Sequence, residues 1–286
     1  MPGSMPPLQT LEFRGCRLAW RIEGAGPPLV MIQGVGAHGT APNPVVEILS
    51  HRYTCLVFDN RGIGASQPVG MPLSVDQMAA DTLALMDHVG WASAHIVGHS
   101  LGGLIAQQLA LTAKRRVRSL TLLCTFARGA DGTGMTPRLI WIGLRVRYGS
   151  RRIRRRAFME LVLPPGQGYP DDVADRLSGI LGHDIADLPP ISNEQLPAMG
   201  RHDVTRRLGE LSGIPTLVIS ADKDPIARPS SGRSIAAGIA GAKYIEIPGA
   251  SHSFPILEPA RCGNLMLEHL AAAEHKQRWS TADSVS

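Results

Sequence analysis

Cysteine is scarce in this 286-residue chain. Its four cysteines, Cys16, Cys55, Cys124 and Cys262, show neither the short spacing of metal ligands nor a small disulfide framework, so reduced and buried thiols are expected, and no metal site. Aromatic residues make up only 5%. No stretch of about 18 uninterrupted apolar residues occurs, and residues 1–8 lack an apolar export signal, so stable membrane insertion is not expected. The expectation is a soluble, cytoplasmic protein. With 44% hydrophobic and 19% charged residues the composition is that of a globular domain, which excludes global disorder.

Acidic residues do not balance the basic ones: the formal net charge is +5. The excess is local, because Arg138, Arg145, Arg147, Arg151, Arg152, Arg154, Arg155 and Arg156 share one short stretch. Such a run can meet nucleic acid, anionic lipid or an acidic substrate, but it carries no interleaved aromatic pattern and no recognisable nucleic-acid module. It is expected to be a solvated face. The length exceeds that of a usual single domain, and one core with an inserted subdomain is the natural reading.

No internal repeat is visible, and short apolar runs alternate with helical segments, which points to an α/β fold with a mainly parallel sheet covered on both faces. Residues 11–14 and 17–23 flank Gly15-Cys16 as an antiparallel hairpin. Buried strands are expected at 29–32, 55–58, 95–97, 120–124, 216–219 and 244–247. Ser74-Val75-Asp76-Gln77 resembles a capping box opening a helix to about Val89, residues 101–112 read as a second helix, and a last helix spans about 258–274 before a polar tail. The rhythm breaks between about 126 and 204, where Arg-rich helical segments are separated by Pro164-Pro165-Gly166 and Pro189-Pro190. Residues 126–204 are therefore expected to form a helical cap over the carboxyl edge of a core made of 1–125 and 205–286, where it would wall a pocket and exclude water.

The sharpest chemical signal is Gly98-His99-Ser100-Leu101-Gly102, placed between an expected strand and an expected helix. A tight strand-to-helix turn needs small neighbours and lifts the serine hydroxyl above the sheet. The N–H of Leu101, at the start of the helix, then points at a developing oxyanion. A serine hydroxyl is a weak nucleophile and needs a histidine base held by a carboxylate. Among ten histidines, His252 stands in a loop after the 244–247 strand, within reach of that turn. The loop after 216–219 offers two acids, Asp222 and Asp224. Asp224 is favoured because Pro225 fixes the turn beyond it, while Asp222 suits a turn-stabilising role. A second oxyanion donor is expected from Val35 N–H, between Gly34 and Gly36.

The same segment, Gly34-Val35-Gly36-Ala37-His38-Gly39, is a literal dinucleotide-binding pattern, with Asp59 ending the next strand. Pro42 and Pro44 fall where a phosphate-binding helix would need uninterrupted N–H donors, which weighs against an oxidoreductase.

Taken together, Gln33-Gly34-Val35-Gly36, Asp59-Asn60-Arg61-Gly62-Ile63-Gly64-Ala65-Ser66, the Ser100 turn, Ala221-Asp222-Lys223-Asp224-Pro225 and Gly249-Ala250-Ser251-His252 resemble the α/β-hydrolase superfamily over nearly the whole chain, in its serine-nucleophile, esterase-like branch. The resemblance implies an eight-stranded, mostly parallel sheet with a helical cap and no cofactor. Four positions qualify it. Gln33 stands where many relatives carry histidine, Ser100 argues against branches with a carboxylate nucleophile, and Val35-Gly36 replaces the aromatic residue and proline usual in cofactor-free haloperoxidases. The expected activity is hydrolysis of small to medium apolar carboxylic esters through an acyl-enzyme on Ser100, with lactone or carbon–carbon bond hydrolysis as the alternative on the same triad. A ligand-sensing protein with a vestigial triad is the reading from another class. Met135, Leu139, Trp141, Leu144, Phe158 and Leu161 are expected either to line an apolar pocket or to pack inside the cap. The expected partner is a small-molecule ester and not nucleic acid, and a homo-oligomer stays open.

Overall fold

A computed structural model describes residues 6–70, 72–132, 136–166 and 168–282. The chain opens with β1 (Gln9–Phe13) and β2 (Cys16–Glu23), paired antiparallel. The turn between them is Arg14-Gly15, both at positive φ, so Cys16 belongs to β2 and not to the turn. Two consecutive positive φ values suit the right-handed twist of a tight hairpin. Then follow β3 (Pro28–Ile32), α1 (Pro44–Ser50), β4 (Thr54–Phe58), α2 (Val75–His88), β5 (Ala94–His99), α3 (Leu101–Thr112) and β6 (Val117–Leu123). Five helices come next: α4 (Gly129–Gly132), α5 (Pro137–Tyr148), α6 (Arg151–Val162), α7 (Asp171–Leu181) and α8 (Ser192–Gly200). The chain closes with β7 (Thr216–Ala221), α9 (Pro229–Gly238), β8 (Lys243–Ile247), α10 (Phe254–Leu257) and α11 (Pro259–Ala282).

The sheet has eight strands in the order β1-β2-β4-β3-β5-β6-β7-β8, with β2 antiparallel to both its neighbours and every later pairing parallel. Its central strands are buried along nearly their whole length, which is why they read in the sequence as continuous apolar runs. The chain steps outward from β3 to β4 and then returns to the other side of β3 to form β5. A crevice opens where the order reverses, outside the carboxyl ends of the strands. The loops following β3 and β5 meet there.

Two local motifs fix this frame. Ser74 accepts from Gln77 N–H at 3.0 Å and caps α2, as its sequence pattern implies. Arg61, fully buried, makes a two-pronged pair with Asp81 at 2.6 and 3.0 Å and donates to the carbonyls of Phe13, Arg14 and Val69. A buried guanidinium is tolerated only when its donors are satisfied, and here it ties the first hairpin to α2 and to the loop after β4.

Helices α4 to α8 lie between β6 and β7. Met159, Val162, Leu163, Ala174, Leu177 and Ile185 form a small core of their own there, touched from the sheet side by Ile226, Ile256 and Leu257. The final helix reaches Ala282, beyond the boundary near 274 expected from composition. No helix among the described residues is long and apolar enough to cross a membrane.

Candidate active site

Ser100 sits between β5 and α3 with φ of 56° and ψ of −121°, a conformation that non-glycine residues rarely adopt. The surroundings hold it there. Its N–H donates to Leu123 O at 3.0 Å, and its carbonyl accepts from Thr125 Oγ1 at 2.7 Å and from Gly103 N–H at 2.9 Å. A Cβ on Gly98 would collide with the Gly102 carbonyl, and one on Gly102 with the Ile32 carbonyl. The glycines flanking the serine are thus dictated by backbone approach.

The three side chains singled out in the sequence come together. Ser100 Oγ lies 3.1 Å from His252 Nε2, and His252 Nδ1 lies 2.7 Å from Asp224 Oδ2. The other oxygen of Asp224 accepts from Ile226 and Ala227 N–H groups at 2.8 and 2.9 Å, so its loop orients the carboxylate before the histidine engages it. Asp222 points elsewhere, to Lys223 Nζ at 3.0 Å. All three linked residues are buried.

His99 packs its ring 5.0 Å from that of His252, and its Nε2–H donates to the His252 carbonyl at 3.2 Å. Burial, reinforced by the neighbouring imidazole, pushes His99 down to about 3, so it stays neutral and serves as a fixed donor. Ser253 donates through both its N–H and its Oγ to Val162 O, at 3.1 and 2.8 Å, which ties the histidine loop to the end of α6.

The loop after β3 runs beside the serine. A Cβ on Gly34 would stand 3.1 Å from Ser100 Cβ and 3.6 Å from its Oγ. Val35 lines the same cavity as Ser100, and Leu101 opens α3. Asn60 Nδ2 donates to the Gln33 carbonyl at 3.1 Å, and Gly36 N–H donates to Gln195 Oε1 at 2.9 Å. Gln195 is fully buried on α8, far along the chain from Gly36. No local pattern marks it, and sequence reading missed it. The loop is followed by α1, which begins only at Pro44 and has its first free N–H capped by Asn43 at 2.9 Å, so that helix does not open at the glycines as a dinucleotide-binding turn requires.

A cavity of about 1010 Å³ opens over Ser100. Of the apolar residues expected in the insertion, Leu139, Phe158 and Leu161 line it, whereas Trp141 and Leu144 are exposed and belong neither to a pocket wall nor to a core. Met135 lies outside the described residues. The arginine run is only in part a solvated face. Arg145 pairs with Glu160 at 2.6 Å, Arg154 with Asp187 at 3.1 Å, and Arg155 with Asp175 and Asp184 at 2.9 and 2.7 Å. Arg155 holds the Asp184 carboxyl well below the usual carboxylate range.

The family model described as alpha/beta hydrolase fold matches residues 27–149. RutD of Azorhizobium caulinodans, provisionally named a carbamate hydrolase, is 29% identical over 252 residues, which is 87% of this chain and 93% of RutD. BpoC of Mycobacterium tuberculosis, provisionally named a non-heme bromoperoxidase, is 29% identical over 90% of this chain and 98% of its own, although Val35-Gly36 argued against that branch. The enol-lactonase of Burkholderia xenovorans LB400 superposes with a TM-score of 0.76 at 26% identity, covering 92% of this chain and 100% of the lactonase. With the eight-stranded sheet, the serine turn and these likenesses in hand, the chain belongs to the α/β-hydrolase superfamily and is a hydrolase of that fold.

Proposed function

We propose that this hydrolase cleaves carboxylic esters through an acyl-enzyme on Ser100. The observation that carries the proposal is the continuous Ser100–His252–Asp224 hydrogen-bond chain beneath a largely apolar cavity. His252 Nε2 takes the serine proton as Oγ attacks the ester carbonyl, then delivers it to the leaving alcohol. Water, deprotonated by the same nitrogen, releases the acid and regenerates Ser100. Asp224 keeps the Nδ1 proton in place and stabilises the imidazolium. The N–H groups of Val35 and Leu101 receive the oxyanion, with Gln195 and Asn60 fixing the Val35 loop from either side. Residues 126–204 serve as the cap that keeps bulk water from the acyl-enzyme. Four buried, unpaired cysteines fit a reducing, cytoplasmic setting.

A second reading is lactone hydrolysis. It is favoured by the likeness to an enol-lactonase over nearly the whole chain, since a lactone is a cyclic ester and uses the same steps.

Turnover of p-nitrophenyl esters from acetyl to palmitoyl, alongside lactones, carbamates and aromatic diketones, tests the assignment. Ser100→Ala is expected to lower kcat by about 10⁶ on the preferred substrate while the fold persists. An organophosphate is expected to label Ser100 stoichiometrically. Labelling at another residue, or an alanine variant with about a tenth of the activity, sinks the nucleophile assignment.

A further inference from the structure

Helix α5 is apolar on two sides. Leu139, Ile142 and Val146 face the cavity, while Ile140, Trp141, Leu144 and Tyr148 are exposed, Trp141 at 61% and Tyr148 at 77%. Residues 140, 144 and 148 recur at helical spacing with 141 beside them, so the four form one stripe turned away from the cavity. A surface helix needs a single apolar face to join a core, and a second exposed one marks a contact surface. Helix α6, packed against α5, adds Ile153 at 43% exposure.

The unpaired charge on α5 and α6 has one sign. Helix α5 contains no acidic residue, and Arg138, Arg147, Arg152 and Arg156 are exposed and enter no ion pair among the described residues. Leu188 and Leu196, also exposed, line the cavity and so carry the apolar character from the surface inward.

We propose that the α5–α6 face docks on a lipid surface bearing anionic headgroups, with Trp141 and Tyr148 at the headgroup level and the arginines against the lipid charges. Each part has the chemistry of its place. Aromatic side chains settle at such boundaries, aliphatic ones enter the acyl edge, and each arginine near an anionic leaflet adds to the attraction. A second copy of the chain fits less well, because a two-fold contact through this face would set arginines against arginines. Nucleic acid would leave the apolar stripe uncovered. The docking is peripheral, and an apolar substrate dissolved in the lipid would meet the cavity mouth directly.

This inference stands apart from the ester reading, because binding is measured without turnover. Intact protein is sedimented with vesicles of phosphatidylcholine alone or with about one third phosphatidylserine, at ~0.1 M and ~0.5 M salt. Binding to the anionic vesicles, weakened by salt, is expected. W141S/Y148S, which alters exposed side chains outside the cavity wall, should bind about tenfold less or weaker still with an unchanged melting temperature. R138E/R152E should lose about thirtyfold. The proposal is overturned if the anionic vesicles do not sediment the protein, or if W141S/Y148S binds them as the parent does. It is equally overturned if the stripe instead holds a dimer that W141S/Y148S dissociates, or if polyglutamate binds parent and W141S/Y148S alike while vesicles bind neither.

Discussion

Asp222 and Asp224 lie two residues apart and have the same chemistry, yet only Asp224 reaches the imidazole. The difference is one of loop geometry: the Ile226 and Ala227 N–H groups grip one oxygen of Asp224 and turn the other towards His252. Asp224→Asn is therefore expected to lower kcat by about 10⁴, because an amide cannot stabilise the imidazolium and favours the wrong tautomer. Asp222→Asn keeps a turn-compatible side chain and should alter stability by about 1 kcal/mol or less with near-normal turnover. Steady-state kinetics of the two variants decides between them, and an inactive Asp222 variant beside an active Asp224 one would reverse the assignment. Residues with a local signature, such as Ser100 between glycines or His252 after a strand, were legible in the sequence. Gln195, Thr125 and Ser253 were not, since each acts on backbone groups distant in sequence and nothing nearby constrains its identity.

At the scale of elements, legibility followed pattern length. The buried strands and the helices α2 and α3 announced themselves through continuous apolar runs and a capping box. Helix α1 is seven residues long and opens on a proline, and α9 is rich in serine and glycine, so neither carried enough apolar periodicity to be seen. The proline pairs did mark breaks, with α6 ending at Val162 before Pro164 and α8 starting at Ser192 after Pro190. Two glycines in helices make a paired test of what packing demands. Gly102 in α3 leaves no room for a methyl against the Ile32 carbonyl, whereas Gly143 in α5 has nothing within 4 Å of an added Cβ. Gly102→Ala is expected to destabilise by about 3 kcal/mol or more, by forcing α3 off β3. Gly143→Ala should stabilise by roughly 0.5–1 kcal/mol through helix propensity. Melting curves moving in the same direction for both would refute this account.

For the whole molecule, buried histidines held neutral set the response to acid. Burial pushes His95 and His269 down to about 4, and His99 beside the serine to about 3, against an ordinary value of 6.5. Between those values the unfolded chain binds protons that the native state refuses, so stability is highest above about pH 6.5 and falls as pH drops towards 4. With three such groups the slope approaches about 4 kcal/mol per pH unit in the middle of the window. Urea unfolding at stepped pH measures it, and His95→Gln should remove roughly a third. A stability that stays flat from pH 7 to pH 5 would show that these imidazoles are not held neutral.

The bonds from Ser253 to Val162 couple a wall of the cavity to the loop that carries His252. Because the end of α6 and the residue after His252 are joined, a substrate bulky enough to displace α6 would also draw His252 out of line with Ser100. On the proposed ester reading, rejection of oversized substrates is then expected to be kinetic, since they would bind into a catalyst put out of register by their own bulk. Across a series of lengthening acyl chains, kcat should fall before KM rises, and Ser253→Ala, by cutting the tether, should flatten the decline. A KM that climbs first, with kcat constant, would mean that wall and base move independently.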